Sequence, residues 1–276
     1  MKKLKKIILA MAALIAVITL AACSGKTTTS NTWDKIQKES NKTITIGFDD
    51  TFAPMGFKDT SGNFVGFDID LANAVFKKYG ITVKWQPINW SMKEQNLKNG
   101  QIDLIWNGYG ITPEREKIVL FSKPYMYDGQ VLITPKSSGI TSTDAMKGKL
   151  LGMQSGSSQL DAFNAQPNLL KNSVKNSQPS LYNTFDASFA DLKAGRIQGI
   201  LSDEVYGDYY LTKSGQTASY ALIATKYESQ GTAVGARQSD TELIDKINTA
   251  IADLHKDGTF QKISEKWFSK DVYPTK

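Results

Sequence analysis

A helix start and a guanidinium lie side by side in the sequence TPER. Thr112 is a residue type that caps helices, and Pro113 suits the first helical position. Arg115 then falls in the first turn, where the helix dipole disfavours a cation. A cation beside unpaired helix N–H groups is suited to an anion, whereas the alternative is a surface ion pair of Arg115 with Glu114 or Asp103.

Residues that commonly carry catalysis are scarce in the rest of the sequence. The one histidine, His255, stands near the end of a helix-like segment, where an exposed or dipole-paired role is usual. A single histidine builds no histidine metal cluster, and no histidine is placed to serve a serine triad. The acids Asp49 with Asp50 and Asp203 with Glu204 are neighbours in sequence, which does not define a catalytic geometry. The sequence also contains no GxxxxGK[ST] phosphate loop, so we predict a protein that is not an enzyme, without catalytic residues, metal or cofactor.

The N-terminal residues have the pattern of a secretory signal. A lysine-rich start precedes an apolar run that ends at the sequence LAAC. Small residues directly before Cys23, the only cysteine, resemble the lipobox of bacterial lipoproteins, which implies cleavage before Cys23 and its acylation, for example with palmitate. An uncleaved anchor is the alternative, but the run is short for a membrane span. We therefore predict a signal peptide over residues 1–22 and a flexible, polar tether over residues 23–41.

The net charge of the full sequence overstates the charge of the chain that remains after the predicted cleavage. It is +6 for the full sequence and falls to +2 without the four lysines of the signal-like segment. The remaining lysines and arginines are dispersed, whereas nucleic-acid binding needs them clustered. We therefore predict no nucleic-acid partner.

Strand-like and helix-like segments alternate from residue 42 onward. TITIGF alternates with period two and places Ile44, Ile46 and Phe48 on one face. GFDIDLANAVFKKYG has a helical apolar stripe that ends at Gly80. ITVKWQ and QIDLIW read as strands around the short helix SMKEQNLKNG, and this order predicts an α/β fold with a largely parallel sheet.

One unit of the sequence occurs twice. NLKNGQIDLIWNG (96–108) resembles DLKAGRIQGILSD (191–203), and the alignment sets Asn107 on Ser202 and Gly108 on Asp203. Such units are common, so one echo also arises by chance, but two lobes that direct strand ends at a common cleft would produce it. We predict crossings between the lobes near residues 130–135 and 224–232, with a hinge there. Lobe 1 would comprise residues 42–131 plus 228–276, and lobe 2 residues 132–227.

Six segments, in this order and spacing, resemble the polar amino-acid family of extracellular solute-binding proteins, which feed ABC importers. They are GFDDTFAPMGF (47–57), GNFVGFDIDLANAV (62–75), GITPEREKIVLFSKPY (110–125), GSSQ (156–159), AGRIQGILSDE (194–204) and KDGTFQKISEKWF (256–268). The resemblance covers about residues 42–270. It implies a periplasmic-binding-protein-like α/β fold, in which two α/β lobes are joined by a two-strand hinge and enclose a ligand cleft.

The resemblance assigns the two ends of a free amino acid to Arg115 and Asp203. Arg115 matches the family arginine that holds the ligand α-carboxylate, for which a planar fork is suited. Asp203 matches the acid that receives the α-ammonium, although it also fits as the N-cap of the following helix. In the closed state, one charge from each lobe would grip opposite ends of a zwitterion.

Further contacts to the ligand are implied by the same resemblance. Ser157 and Ser158 stand at a helix N-terminus that faces the carboxylate in the family, with ordinary capping as the alternative. Gln159, the next residue, is a further candidate for contact with the ligand. The family often has serines where this chain has Asn107, so hydroxyl contacts are in doubt there. Main-chain polar contacts are implied at Asn107, Gly108 and Gly110.

The side chain of the ligand would meet aromatic and acidic residues. Phe52 matches an aromatic that stacks on it, with core packing as the alternative. Asp49, with Asp50 beside it, matches an acidic position near the distal part of the ligand, or fixes its own loop. Trp90 and Trp106 lie near predicted strand ends and are candidates for pocket walls. Core packing is the equal alternative for Trp90 and the stronger expectation for Trp106.

The resemblance implies a substrate-binding lipoprotein that captures a free polar amino acid and delivers it to an ABC permease and its ATPase. Glutamine, arginine, histidine, lysine and cystine remain open, and the acids at 49 and 50 disfavour glutamate and aspartate. We expect a monomer on the outer face of the cytoplasmic membrane, held by the lipid on Cys23. The alternatives are an enzyme on the same fold, such as a dehydratase of cyclic acids, and an amino-acid sensing or adhesion module.

Overall fold

A computed structural model describes residues 31–274 of the chain, and all structural statements concern these residues. The predicted signal peptide over residues 1–22 and the predicted acylation of Cys23 lie outside them. The helices are α1 (Thr32–Lys38), α2 (Phe67–Lys77), α3 (Lys93–Lys98), α4 (Pro113–Glu116), α5 (Ser158–Ala165), α6 (Phe185–Lys193), α7 (Glu204–Lys213), α8 (Thr241–Lys256) and α9 (Thr259–Phe268). The strands are β1 (Thr43–Phe48), β2 (Thr51–Phe52), β3 (Gly56–Lys58), β4 (Phe64–Val65), β5 (Thr82–Pro87), β6 (Leu104–Ile105), β7 (Leu120–Phe121), β8 (Met126–Asp128), β9 (Gln130–Pro135), β10 (Leu151–Gln154), β11 (Ser180–Tyr182), β12 (Gly199–Asp203), β13 (Tyr220–Ala224), β14 (Gln230–Thr232) and β15 (Gly235–Ala236).

The first lobe is built on a sheet with the strand order β5-β1-β6-β15-β7. β1 is parallel to both β5 and β6, whereas β15 is antiparallel to β6 and β7. Ile44, Ile46 and Phe48 of β1 are all fully buried, as the period-two pattern predicts. Helices α2, α8 and α9 pack on one another and contribute their apolar faces to this core, since Phe67, Val75, Leu243 and Phe260 belong to the same buried cluster.

The second lobe is built on a sheet with the order β11-β10-β12-β9-β13. β10 is parallel to β11 and β12, and β9 runs antiparallel between β12 and β13. In both lobes, a helix precedes a strand whose carboxyl end points toward the other lobe: α3 precedes β6 and α6 precedes β12. This is the unit that the sequence echo predicts, and it brings strand ends from both sheets to one cleft.

The two lobes are connected by the antiparallel pair β8 and β14, whose registers join Asp128 to Gln230 and Met126 to Thr232. The prediction that residues 130–135 form a crossing is wrong, because β9 lies within the second sheet, and the crossing strand is β8 just before it. The predicted second crossing, residues 224–232, contains β14. The predicted lobe boundary between residues 131 and 132 cuts β9, so a boundary at Gly129 agrees better with the sheet topology.

Helix α1 contradicts the prediction of a flexible tether for residues 32–38, whereas residues 23–30 of that tether lie outside the described part of the chain. It packs on the first lobe: Trp33 and Ile36 are buried in that lobe's core. The main-chain N–H of Thr32 donates a 2.8 Å hydrogen bond to Oδ1 of Asp240, and Arg237 donates a 2.6 Å bond to Oγ1 of Thr32. The sequence does not predict this helix, because its two buried apolar residues are too few to give a periodic pattern.

Within residues 31–274, none of the helices has both the length and the apolar character that a membrane span requires.

Candidate functional site

One cavity between the lobes gathers the predicted site residues. About 270 Å³ of space free of atoms lies between these residues, the part open to solvent included, and the enclosed part is only about 10 Å³. The first lobe contributes the loops that follow β1, β5 and β6 and the start of α4, and the second lobe contributes the end of β10, the start of α5 and the end of β12. The residues that line the cavity are Asp49, Phe52, Trp90, Asn107, Gly108, Arg115, Gln154, Ser157, Ser158, Gln159 and Asp203.

Arg115 enters the cavity from the first turn of α4, as the sequence TPER predicts. The hydroxyl of Thr112 accepts a 3.3 Å bond from the Arg115 N–H, and Pro113 begins the helix. The guanidinium lies 4.8 Å from the centroid of the Tyr109 ring, which supports its plane. With 4% of its surface exposed, Arg115 is a buried cation that needs anionic or carbonyl partners.

The partners of Arg115 come from both lobes. Its Nη1 donates to the carbonyl of Gly110 at 2.8 Å, and its Nη2 donates to the carbonyl of Gly156, in the second lobe, at 2.9 Å. Oδ2 of Asp161, on α5, lies 3.2 Å from the same Nη2. The surface pair with Glu114 or Asp103 that the sequence left open is therefore not formed; Asp103 pairs instead with Arg237 at 3.1 Å.

Asp203 stands at the other side of the cavity, at the end of β12. It occupies the N-cap position of α7, yet its side chain makes no capping hydrogen bond. Its Oδ1 accepts a 2.6 Å bond from Nε2 of Gln159. Burial raises the pKa of Asp203 to about 7, while the bond from Gln159 and the charge of Arg115 act in the opposite direction. A nearby cationic group would therefore stabilise this carboxylate strongly.

A second acid lies close to Asp203 on the connecting strand β8. Burial raises the pKa of Asp128 well above its usual range, and the charges of Asp203 and Glu204 raise it further. Two carboxyl groups in one partly buried site resist simultaneous ionisation. The sequence did not indicate this neighbour, because Asp128 and Asp203 are brought together only by the antiparallel pairing of β9 with β12.

The contacts of Asp49 fit both roles that the sequence left open, namely fixing its own loop and facing the ligand cavity. Its Oδ1 accepts bonds from the N–H of Thr51 at 2.9 Å and from its hydroxyl at 2.6 Å, which fixes the loop. Its Oδ2 accepts a 2.6 Å bond from Nε2 of Gln154 in the second lobe, inside the cavity. Burial raises the pKa of Asp49, and these hydrogen bonds oppose the rise.

The main chain around residue 107 is shaped by close approaches. Oδ1 of Asn107 accepts a 3.1 Å bond from the Asp49 N–H, and the Asn107 Nδ2 is buried without a partner. Gly108 has a φ of +57° and donates its N–H to Oδ2 of Asp68 at 2.7 Å. A Cβ at residue 108 would lie 2.5 Å from the Phe52 ring, so glycine is required there. Gly110 does not line the cavity, but its carbonyl holds Arg115.

The start of α5 presents two serines to the cavity. Oγ of Ser157 accepts a 3.2 Å bond from the N–H of Leu160, so Ser157 is the cap of this helix. Ser158 is buried at the first helical position, and its Oγ would lie 2.9 Å from a Cβ placed on Gly110 of the other lobe. Gln159 is committed to Asp203. The capping alternative for Ser157 is thus realised, and it leaves the hydroxyl of Ser158 without a capping role.

The aromatic residues separate into a cavity wall and a core. Phe52 lines the cavity and stacks on Tyr206 of the second lobe, with ring centroids 5.5 Å apart and planes 5° apart. Trp90 lines the cavity and packs edge-on against Tyr109. Trp106 is fully buried between Phe76 and Tyr125 and does not line the cavity, so the expectation of core packing is confirmed.

Besides Asp128 and Asp161, two further polar residues at the cleft were not predicted from the sequence. Gln154 lines the cavity, and Lys93 is buried beside it at 2% exposure. Gln154 is the last residue of an ordinary strand and Lys93 is the first residue of a helix rich in polar residues, so neither carries a sequence signal. The one available signal was indirect: each stands at the start or end of an element that the fold directs at the cleft.

Comparison with known proteins places this geometry in a family. Residues 44–270 match the family model described as bacterial extracellular solute-binding proteins, family 3. The match covers most of the chain, and the chain therefore belongs to this family of two-lobed binding proteins.

Individual relatives agree with the family match. The chain is 34% identical to the lysine/arginine/ornithine-binding periplasmic protein of Escherichia coli K12, over 94% of this chain and 98% of that protein. It is 30% identical to the histidine-binding periplasmic protein of the same organism, over 83% and 89% of the two chains. A solved ABC uptake transporter substrate-binding protein from Streptococcus pneumoniae, with bound histidine, is 53% identical with a TM-score of 0.88, over 90% of this chain and all of that one.

Proposed function

We propose that this protein is the substrate-binding component of an amino-acid ABC importer and that it closes around one free polar amino acid. The observation that carries the proposal is that a buried guanidinium from one lobe and a partly buried carboxyl from the other, Arg115 and Asp203, face the same cavity. A zwitterion has one group for each of them. A ligand that contacts both lobes stabilises the closed arrangement more than the open one.

The α-carboxylate of the ligand would bind Arg115. A guanidinium has five N–H donors in a planar fork, and Gly110 and Gly156 occupy donors on the two Nη atoms. The start of α5, where Ser158 is buried, adds main-chain N–H groups and a partial positive charge to the same place. Asp161 would compete with the ligand for Nη2, so binding exchanges one anionic partner of Arg115 for another.

The α-ammonium of the ligand would bind Asp203. The carboxyl already has an amide donor in Gln159 and retains acceptor positions for an ammonium group. Its raised pKa means that it gains most from a cationic partner. Binding a cation there would lower its pKa and release a proton.

The side chain of the ligand would lie between Phe52 and Trp90, near Asp49 and Gln154. Asp49 and Gln154 offer a hydrogen-bond acceptor and an amide, which suit a nitrogen-bearing side chain. Histidine is the first candidate because a relative with 53% identity holds it, followed by arginine and lysine, which the E. coli relative is named for. Glutamine and cystine remain in the test set.

Delivery of the amino acid completes the proposal. The protein would act as a monomer without a cofactor and without catalysis, and it would pass its ligand to a permease driven by an ATPase. The sequence LAAC supports a signal peptide and a lipid on Cys23, which would hold the protein at the outer face of the cytoplasmic membrane.

Calorimetric titration tests the proposal. The purified protein is unfolded and refolded to remove copurified ligand and is then titrated with the twenty amino acids and cystine. We expect saturable 1:1 binding of one or a few polar amino acids, with no change in the ligand after incubation. Absence of binding to all of them would contradict the proposal, and cyclic acids would then be tested for turnover.

A further inference from the structure

Lys93 is a buried lysine that crosses the cleft without lining the ligand cavity. It begins α3 in the first lobe and is 2% exposed. Its Nζ donates a 2.7 Å hydrogen bond to the carbonyl of Gly156, in the turn of the second lobe that precedes α5. The same Nζ contacts the carbonyl of Trp90 at 3.2 Å and Oε1 of Glu94 at 3.1 Å.

The Gly156 carbonyl receives a second cation. Nη2 of Arg115 donates to it at 2.9 Å, so two cations of the first lobe converge on one carbonyl oxygen of the second. We call the group formed by Lys93, Arg115 and the Gly156 carbonyl the Gly156 contact. Charge-assisted hydrogen bonds of this kind are about twice as strong as neutral ones.

The position of Lys93 is unfavourable for its own helix. A cation at the first helical residue opposes the helix dipole, and Arg115 of α4 shows the same conflict. Burial and the neighbouring charge of Arg115 together lower the pKa of Lys93 to about 8, while Glu94 acts in the opposite direction. A residue that breaks the local rule and is desolvated is usually retained for a function rather than for stability.

The second lobe is shaped to accept this approach. Gly156 has a φ of +72°, and a Cβ on it would lie 2.8 Å from Cα of Ser91 in the first lobe. The two main chains therefore meet directly, and only glycine allows it. The rings of Trp90 and Tyr109 lie 5.0 and 5.7 Å from Nζ and shield the ammonium from water.

We propose that Lys93 is a positioning residue for lobe closure: it pins the Gly156 turn of the second lobe against the first lobe, and it raises ligand affinity without touching the ligand. The Gly156 contact breaks when the lobes separate, because its donors and its acceptor lie on different lobes. The same carbonyl accepts from Nη2 of Arg115, so separation of the lobes breaks both bonds together. This inference rests on the proposed function only for its effect on affinity, because the contact itself needs no ligand.

The first test is the affinity of Lys93→Met, which keeps the length of the side chain and removes the donor. We expect the Kd of the amino acid found by titration to rise about tenfold, because one charge-assisted hydrogen bond is lost from the closed state only. The rise should come from faster dissociation with little change in association rate. Lys98→Met, an exposed lysine of the same helix, is the matched control and should keep the wild-type Kd.

Hydrogen–deuterium exchange of the ligand-free protein is the second test. Lys93→Met should exchange faster than wild type in the segment 154–160 of the second lobe, while the peptides of both sheets stay unchanged. A local disturbance of α3 would be confined to the first lobe and would leave 154–160 unaltered. Unchanged exchange there, together with an unchanged Kd, would overturn the proposal.

Two controls keep the outcomes separable. If Lys93→Met does not fold, as judged by circular dichroism, Gly156→Ala disturbs the same contact from the other lobe and should give the same pattern of faster exchange and weaker binding; wild-type behaviour of that variant would overturn the proposal. If the wild-type protein binds no amino acid, the proposed function fails, and the exchange comparison still decides the role of Lys93.

Discussion

Nε2 of Gln154 donates a 2.6 Å hydrogen bond to Oδ2 of Asp49, and the two residues belong to different lobes. The bond lies inside the cavity, next to the place proposed for the ligand side chain. Gln154 also donates to the carbonyl of Asn183 at 3.1 Å, which orients its amide. The pair therefore connects the two lobes at the edge of the proposed ligand site.

Replacing Gln154 by alanine should weaken ligand binding about tenfold. The change leaves a buried carboxylate oxygen of Asp49 without its partner, which costs about 1–3 kcal/mol. The Kd is measured by titration, with Gln166→Ala, an exposed glutamine of the same lobe, as control. Equal affinities of the two variants would show that the bond between Gln154 and Asp49 does not contribute to closure.

Replacing Arg115 by alanine should reduce affinity by about 100-fold or more, because truncating one partner of a buried charge pair costs several kcal/mol. The protein should remain folded, since the hydrogen bonds and the ion pair of Arg115 with Asp161 lie at the cleft and the Tyr109 ring stays packed in its own cluster. Arg196→Ala removes an exposed arginine of the second lobe and should bind as wild type. Wild-type affinity of a folded Arg115→Ala protein would contradict the proposal that Arg115 binds the α-carboxylate of the ligand.

Replacing Asp203 by asparagine should affect ligands according to their amino group. A ligand with a free α-amino group loses its charged partner, whereas an analogue without that group does not. For histidine, the analogue is imidazolepropionate. The Kd of the analogue divided by the Kd of histidine should fall about tenfold or more in Asp203→Asn. This ratio should stay unchanged in Asp208→Asn, which replaces an exposed acid of α7. An equal loss for both ligands would argue against the ammonium site.

Affinity should depend on pH through Asp203. Burial raises the pKa of its carboxyl to about 7 in the protein without ligand, and an ammonium partner would lower it. The stabilisation by the ligand is therefore fully present above about pH 7 and is lost as the pH falls below it, by up to about tenfold per pH unit. A ligand that does not titrate in this range is used, and calorimetry at pH 6 in two buffers with different ionisation enthalpies should show proton release. Asp203→Asn should release fewer protons under the same conditions.

Stability should depend on pH through Asp68, which is buried away from the cavity. Burial raises its pKa from 3.8 to about 7, while the bond from Gly108 acts in the opposite direction. Its contribution to stability is fully present below about pH 4 and is lost as the pH rises through 7. Between pH 5 and pH 8, the free energy of unfolding should fall by about 2–3 kcal/mol more in wild type than in Asp68→Asn, as measured by urea unfolding. Parallel profiles of the two proteins would contradict this assignment.

The sequence predicts those parts of the site that depend on local chemistry. The cap and first turn of α4 follow from short-range rules, because Thr112, Pro113 and Arg115 lie within four consecutive positions. The same is true of the period-two burial of β1 and of the cap at Ser157. The fold class follows from the order of strands and helices.

The remaining parts depend on contacts between residues distant in sequence. Gln154 meets Asp49 across 105 positions, and Lys93 meets Gly156 across 63. No propensity or period encodes such pairs, because each partner is an ordinary polar residue in its own segment. The crossing strand was misplaced for a related reason: β8 and β9 form one extended run interrupted only at Gly129, and the run changes sheets there.

The place of β15 in the first sheet has a consequence for synthesis of the protein. This strand lies between β6 and β7, although it follows both by more than a whole lobe in the sequence. The chain emerges from its N-terminus during synthesis and export, so all strands of the second lobe are present before β15 can join the first sheet. Until then β6 and β7 each keep an unpaired edge. A truncated chain that ends before Gly235 would leave those edges free for pairing with other chains. The order in which the chain emerges thus lets the second lobe complete its sheet while the first lobe still has unpaired strand edges that favour aggregation.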